Sequence, residues 1–499
     1  MQVKKGLFLL LALAFVSCQL SLESPTLLRA FNQPASSDEV IRFSQRAASS
    51  SDVLSIETFG KSESGIPLVA IKASAPVHNN ENPLRVLIFA QQHGNEQSGK
   101  EAALLLLSDL AKGKHHHWLE NMELWIVPQL NPDGSDVNQR RNAGGIDLNR
   151  DHIVQLAPET RALHALFRRE MHHVTIDIHE YQPFRESWEE FGAYKTFDVQ
   201  LGVPTNPNVS TEIRSFALDQ ALPVVEEHLN SKGFSFNHYI VGPVPTQGRT
   251  RHSTVDFDDG RQSFAILGTI AFIYEGINGR DGFVENLERR TYGQYEALLA
   301  MLEFLHSNSK KATMISENAR QQLIHQQPGD KVAIRLEHFP DGNPLLLPLS
   351  SARTGADTLV VVQNYHPLVK PTLEVIRPQA YLVPRNDSLL KDFLLLHNIK
   401  VTESFEIIDN PVTAYHIDEI KMSEDEELPN RFPEITPKQA ERQNLTENYV
   451  YVTVSQLHSN FLVSLFEPQS MLGLAQRPGF EYLLEEGTIF PVLRVESRE

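Results

Sequence analysis

Cysteine occurs once in the 499 residues, at Cys18. A single thiol excludes an internal disulfide, and with it a disulfide-stapled scaffold or a cysteine metal cluster. Any metal must be held by His, Asp and Glu. Excess positive charge is missing as well. The 45 Lys and Arg stand against 63 Asp and Glu, a net charge of -18, which argues against a nucleic-acid partner and suits a protein that stays dispersed in water. No apolar run after the first residues is long enough to span a bilayer. Internal repeats and long low-complexity tracts are absent. With 41% apolar residues the chain can bury a large core, global disorder is excluded, and the length predicts two or three domains.

Residues 1–18 read as a secretory signal peptide: Lys4 and Lys5, an apolar core from Leu7 to Val16, then Ser17-Cys18. A lone cysteine directly after such a core resembles a bacterial lipoprotein signal, in which it carries the lipid, although Phe15 stands where leucine is usual. The expectation is export to the periplasm or outer surface, with a membrane anchor at Cys18; the alternative is an ordinary secretory peptide cleaved nearby. Residues 19–50 read as a polar lead-in and 51–327 as an α/β unit. Residues 328–499 read as a smaller, strand-rich C-terminal domain of unassigned role, with one helix from Ser388 to His397 and an exposed acidic loop near Ser423 to Glu427.

Within the α/β unit, two alternating runs around Ser55–Phe59 and Pro67–Ile71 predict a hairpin at a sheet edge. Four continuous apolar runs then predict buried strands: Leu84 to Ala90, Glu123 to Val127, Val174 to Ile178 and Ile270 to Tyr274. Helical spacing predicts helices over Ser98–Ala111, Pro158–Arg169 and Asn286–His306. Each strand releases a chemically capable residue or loop at its carboxyl end, where open α/β sheets bind ligands. The first releases His93-Gly94-Asn95-Glu96, a nitrogen and a carboxylate three apart that can face one cation. Zn²⁺ takes such ligands, usually three plus a water in catalytic sites, but His-x-x-Glu alone is a weak signal. His179, two residues after Asp177 on the same side of its strand, is the best third ligand. His115-His116-His117 and His172-His173 read instead as solvated loops. An arginine-rich stretch, Gln139 to Arg150, lies between the second and third of these strands, and its guanidinium groups can clamp a carboxylate or stabilise an oxyanion.

Taken in order, His93-x-x-Glu96, Asn131-Pro132-Asp133-Gly134, Asp147-Leu148-Asn149-Arg150, His179 and Glu275 resemble the zinc metallocarboxypeptidase family (carboxypeptidase A-like), over roughly residues 50 to 310. The resemblance implies a mixed, mostly parallel sheet flanked by helices, and one Zn²⁺ held by His93, Glu96 and His179. It further implies that Asp147 orients His93, that Asn149 and Arg150 grip the free carboxylate of a peptide or peptide-like substrate, that Arg140 (with its neighbour Arg141 as the lesser candidate) polarises the scissile carbonyl, and that Glu275 is the general base. Related zinc amidohydrolases acting on N-acyl amino acids share these motifs, and a non-catalytic carboxylate-binding relative would keep them too.

Two stretches depart from the family pattern. A mobile tyrosine is expected shortly before the catalytic glutamate, but that region reads Arg251-His252-Ser253-Thr254-Val255-Asp256; His252 is a candidate substitute donor, and Tyr239 looks too far upstream. Asp151-His152 replaces a common Asn-aromatic pair. Asp256, Asp258 and Asp259 can favour a basic end residue or form a polar turn.

Overall fold

The computed structural model describes residues 22–76, 82–326, 329–406, 410–423, 431–441 and 443–497. The expected signal peptide with Cys18, and the acidic residues after Ser423, lie outside them. Eight strands form the central sheet, in the spatial order Leu54–Lys61, Pro67–Ala73, Met122–Val127, Leu84–Ala90, Val174–Tyr181, Ile270–Ile277, Val199–Gly202 and Phe236–His238. The middle of this sheet is parallel. The first two strands form the expected antiparallel edge hairpin, and Val199–Gly202 runs antiparallel to Ile270–Ile277.

Successive side chains of a strand point to opposite faces, so seven consecutive buried residues in Val174–Tyr181 require cover on both sides. Helices supply it. Gln97–Ala111, with a run of four leucines, packs beside Leu287–Ser307. Phe264, from the helix Gly260–Ala265, meets Phe89 of a central strand and Phe167 of the helix Pro158–Glu170, with ring centroids 6.0 and 4.4 Å apart. Among the described residues no helix is long and apolar enough to cross a membrane.

The segment after residue 328 is strand-rich. Lys331–Phe339, Asp357–Val362 and Tyr449–Thr453 are strands and Ser388–Leu396 is a helix. It is also threaded into the α/β unit. One hydrophobic cluster runs from Ala35 through Phe89 and Ile176 to Val332, Leu390 and Phe461. A second seats Leu347, Leu349 and Val362 against Trp188, Tyr194 and Phe197. Strand pairing crosses the same seam, Ser350 with Tyr194 and Thr250 with Tyr365.

One expectation is corrected here. His172 and His173 are not solvated: both are fully buried. His172 packs edge-on against Trp125 at 5.8 Å, and His173 Nδ1 accepts from the Arg85 backbone N–H at 3.0 Å. Burial drives both imidazoles down, His173 to about 2, with Arg320 and Arg85 adding to the fall, so they sit in the core as neutral groups. His115–His117, by contrast, cover the surface around Trp118: His115 stacks on its ring at 4.4 Å and His117 Nε2 lies 3.0 Å from Glu303.

Candidate metal centre and active site

His93 and Glu96 leave the sheet in a tight loop after Leu84–Ala90. Gln91 turns the chain there with φ of 60°, and its side-chain amide donates to the Gly94 carbonyl at 3.0 Å. Gly94 is required by close approach. A Cβ at this position would lie 2.1 Å from the Gly134 carbonyl carbon and 2.4 Å from Ser135 N. The partner is the predicted Asn131–Gly134 turn, here the start of a short helix, Pro132–Asp136, capped by the Asn131 side chain accepting from Gly134 N at 2.9 Å.

His179 and Glu275 come from neighbouring parallel strands and stand opposite each other in register. Both strands run on past these residues, to Tyr181 and Ile277. Two imidazole nitrogens and a carboxylate thereby converge. His93 Nδ1 is 2.8 Å from Glu96 Oε1, His179 Nδ1 is 2.9 Å from Glu96 Oε2, and the two Nδ1 atoms are 3.1 Å apart. All three residues are buried, and among the described residues they form the one group of His, Cys, Asp and Glu able to hold a metal ion. Ligands at about 2.0–2.1 Å from a tetrahedral Zn²⁺ lie about 3.4 Å from one another, so a few tenths of an ångström of expansion would fit the ion.

The electrostatics agree with that fit. Burial alone would raise the Glu96 carboxyl, yet the flanking His93 and His179 hold it well below the usual carboxylate range. His179 runs the other way: burial opposes its charged form, but Asp177 and Glu96 raise it well above an ordinary histidine. Around His179 the cause is buried negative charge, and Glu96 is itself kept ionised, which is what a divalent cation needs. Each histidine's far nitrogen is held by a carboxylate. Asp147 Oδ1 is 3.0 Å from His93 Nε2, and Asp177 Oδ1 is 2.9 Å from His179 Nε2. Such partners fix the tautomer and orientation of metal-binding imidazoles. Asp177 was not assigned this task from sequence, although its two-residue spacing from His179 was the available signal.

Around the donors the other expected residues fall as follows. Arg140 donates from Nε to Asp147 Oδ2 at 2.9 Å, and its Nη1 is 3.2 Å from His93 Nδ1 and 3.5 Å from Glu96 Oε1. Arg141 points elsewhere, donating to the Gly145 carbonyl at 2.9 Å on the exposed loop. Asn149 accepts at Oδ1 from Gly260 N at 2.8 Å and from Gln92 Nε2 at 3.2 Å, which fixes its amide and leaves Nδ2 as a donor. The Arg150 side chain is exposed, and its Nη1 donates to the Asn149 carbonyl at 2.5 Å. Burial pushes the Glu275 carboxyl up to about 7; His179 opposes the rise, Glu96 adds to it, and the Tyr239 hydroxyl and His93 oppose it again.

That hydroxyl corrects the reading of Tyr239 as too far upstream. Burial, and then the Glu275 carboxylate close by, raise its hydroxyl well above the usual tyrosine range. Sheet order explains how: Phe236–His238 lies beside Val199–Gly202, which lies beside the Glu275 strand, and Tyr239 N donates to the Leu201 carbonyl at 2.8 Å. His252, the proposed substitute, is next to it, with Nδ1 3.1 Å from the Tyr239 carbonyl and Nε2 2.8 Å from the Tyr365 hydroxyl. The Asp151-His152 departure is structural. Asp151 accepts from Leu156 N and Ala157 N at the start of a helix, and His152 Nε2 is 2.9 Å from Oε1 of Gln92, whose Nε2 donates to Asp177 at 2.8 Å.

Residues 41–185 match the zinc carboxypeptidase family. Carboxypeptidase 2 of Trichophyton rubrum is 26% identical over 377 residues, covering 70% of this chain and 66% of that protein. Carboxypeptidase SOL1 of Arabidopsis thaliana is 35% identical over 121 residues, 23% of this chain and 24% of its own length. The chain therefore spans just under two thirds of the fungal relative. A metallo-carboxypeptidase from Burkholderia cenocepacia, 18% identical, aligns over 56% of this chain and 70% of its own with a TM-score of 0.43. The stretch that matches the zinc carboxypeptidase family begins before His93-x-x-Glu96 and closes after His179, so it contains all three of the converging metal donors.

Proposed function

We propose that the chain is a zinc metallocarboxypeptidase that hydrolyses the C-terminal bond of a peptide or peptide-like substrate. The observation that carries this reading is Glu275, a buried carboxylate paired in register with His179 and neighboured by Tyr239, beside a complete His-Glu-His donor set. His93, Glu96 and His179 would hold one Zn²⁺. When bound, zinc supplies a Lewis acid and brings the pKa of a coordinated water to about 7.

The chain's own residues do the rest. Glu275 accepts a proton from the attacking water and returns it to the leaving amine, a task that suits a carboxyl raised toward neutrality by burial. Arg140 places a guanidinium at the donor atoms, where developing negative charge on the carbonyl oxygen is stabilised. Asn149 Nδ2 and Arg150 offer donors for the free carboxylate, the feature that separates an exopeptidase from an endopeptidase. The Tyr239 hydroxyl neighbours Glu275 and stands ready to donate to the substrate. Arg141, turned toward Gly145, has no part in this scheme.

The test compares zinc-loaded wild type with Glu275→Gln on peptides carrying free or amidated C-termini. Wild type should release the end residue only from free carboxylates, and the variant should lose turnover by about a thousandfold or more while keeping one zinc per chain. Acyl-group release from N-acyl amino acids with peptides intact would move the assignment to a deacylase; hydrolysis that survives zinc removal would refute the reading.

We also propose export, with lipid attachment at Cys18, supported by Lys4, Lys5 and the Leu7–Val16 core. Labelled fatty acid should enter the chain expressed in a bacterial host and be lost in Cys18→Ala; equal labelling of both would refute it.

A further inference from the structure

A cavity of about 760 Å³ has Tyr239, the neighbour of Glu275, in its wall. The wall also includes Leu201 and Gly202, from the strand that pairs antiparallel with the Glu275 strand, so that Gln200 lies opposite Glu275 itself. Glu275 and the three metal donors do not line this space; Tyr239 stands between it and them.

The acidic trio of the sequence does not define this space. Asp256 and Asp258 are occupied by Arg477, whose Nη2 is 2.8 Å from Asp256 Oδ1 and whose Nη1 is 3.2 Å from Asp258 Oδ2. Asp259 caps the helix Gly260–Ala265, accepting from Gln262 N at 2.6 Å. No carboxylate of the three is left to receive a basic side chain.

What the wall offers is an incompletely satisfied arginine. Arg261 is fully buried, and only its Nη2 is used, donating to Ser253 Oγ at 2.7 Å and pairing with Asp259 Oδ2 at 3.0 Å. Its Nε and Nη1 have no hydrogen-bond partner. An unfilled donor on a buried charged group keeps its full desolvation penalty, and native interiors rarely leave one without reason. Nη1 approaches the cavity at Gly202. A Cβ built there would lie 2.8 Å from Ile273 Cγ2, 2.9 Å from Arg261 Nη1 and 3.1 Å from the Tyr239 ring, so glycine is required at this point of the wall and lets the guanidinium and the tyrosine close on the backbone from either side. Arg214 also lines the cavity and spends its donors on the Val209 carbonyl and Thr211 Oγ1 rather than on a carboxylate. Asp219 is the one acidic residue of the wall.

We propose that Arg261 makes this cavity a receptor for an acidic end residue, so that the enzyme favours peptides ending in glutamate or aspartate. The inference rests on the carboxypeptidase reading. A side-chain carboxylate reaching the Arg261 side of the cavity, with a small shift of the guanidinium toward it, accepts from Nη1 and completes the guanidinium's set of partners. An apolar end residue leaves that donor unfilled, and a lysine or arginine brings like charge against it.

The test uses the zinc-loaded full chain and a series of acyl dipeptides differing only in the last residue: Glu, Asp, Leu, Phe or Lys. One charge-assisted hydrogen bond converts to a preference on the order of ten- to a hundredfold, so kcat/KM should be higher for Glu than for Leu by that factor, with Lys poorest. In Arg261→Gln the Glu-to-Leu ratio should collapse toward one, and Arg261→Lys should restore part of it. Gly202→Ala, whose methyl would push against Arg261 Nη1 and the Tyr239 ring, should lower the ratio too. Calorimetric binding of N-acetylglutamate and N-acetylleucine reads the same preference without turnover. Peptides cleaved with no preference for an acidic end overturn the Arg261 proposal and leave the peptidase standing. Preferential glutamate binding without cleavage does the reverse.

Discussion

Asp177→Asn tests the metal centre at its least exposed support. Asp177 is fully buried, its Oδ1 is 2.9 Å from His179 Nε2, and its Oδ2 accepts from Gln92 Nε2 at 2.8 Å. Asparagine has the same shape and can still accept from the imidazole, so the substitution removes charge and little else. Loss of a carboxylate behind a metal-binding histidine typically weakens metal affinity ten- to a hundredfold, about 1.4–2.7 kcal/mol. The upper half of that range is expected here, because no solvent screens the interaction. Asp147, which supports His93, is part-exposed and also paired with Arg140, so Asp147→Asn should cost less. The assay is a competition titration of each metal-free protein against a chromophoric zinc chelator at one pH, with zinc stoichiometry read in parallel. A zinc affinity for Asp177→Asn within twofold of wild type would refute the claim that Asp177 supports the metal through His179.

Other predictions follow from the same geometry. Gly94→Ala should cost about 2 kcal/mol or more and lower zinc affinity, since the new methyl meets the Gly134 backbone; denaturant unfolding with and without zinc would show it. Arg477→Met strips two aspartates of their partner in a mostly buried cluster. Breaking such a pair costs about 3–5 kcal/mol, and the lower end applies because Asp256 is a third exposed; a loss below about 1 kcal/mol would contradict the clamp. Burial, reinforced by Arg185, brings the Lys195 ammonium down to about 8 from 10.5. Its folded form thus binds fewer protons than the unfolded chain between those values, and stability gains with rising pH across that window. Lys195→Met should remove that gain, as thermal unfolding across the window would reveal.

Much of the site was legible in the sequence because it lies at the ends of continuous apolar strands. His93, Glu96, His179 and Glu275 each follow or close such a run, and a parallel sheet brings such ends together. Tyr239 was illegible for the converse reason. Its distance from Glu275 along the chain says nothing until the antiparallel insertion of Val199–Gly202 and the neighbouring Phe236–His238 is known. The buried pair His172-His173 looks the same in sequence as a solvated pair; only the packing of Trp125 and Phe167 distinguishes them. Asp256, Asp258 and Asp259 read equally as a receptor for a basic end residue and as a polar turn, and the choice depends on Arg477, far along the chain.

That last contact ties the α/β unit to the strand-rich segment. Arg477 grips the loop carrying Asp256 and Asp258, Tyr365 touches His252, and Pro367 to Val369 close the cavity beside Tyr239. Cutting the chain back to its α/β part would strip one wall from the cavity and bare the apolar seam around Val332 and Phe461. The segment is part of the tool rather than its handle, and changes there can retune which substrates are accepted without touching a catalytic residue.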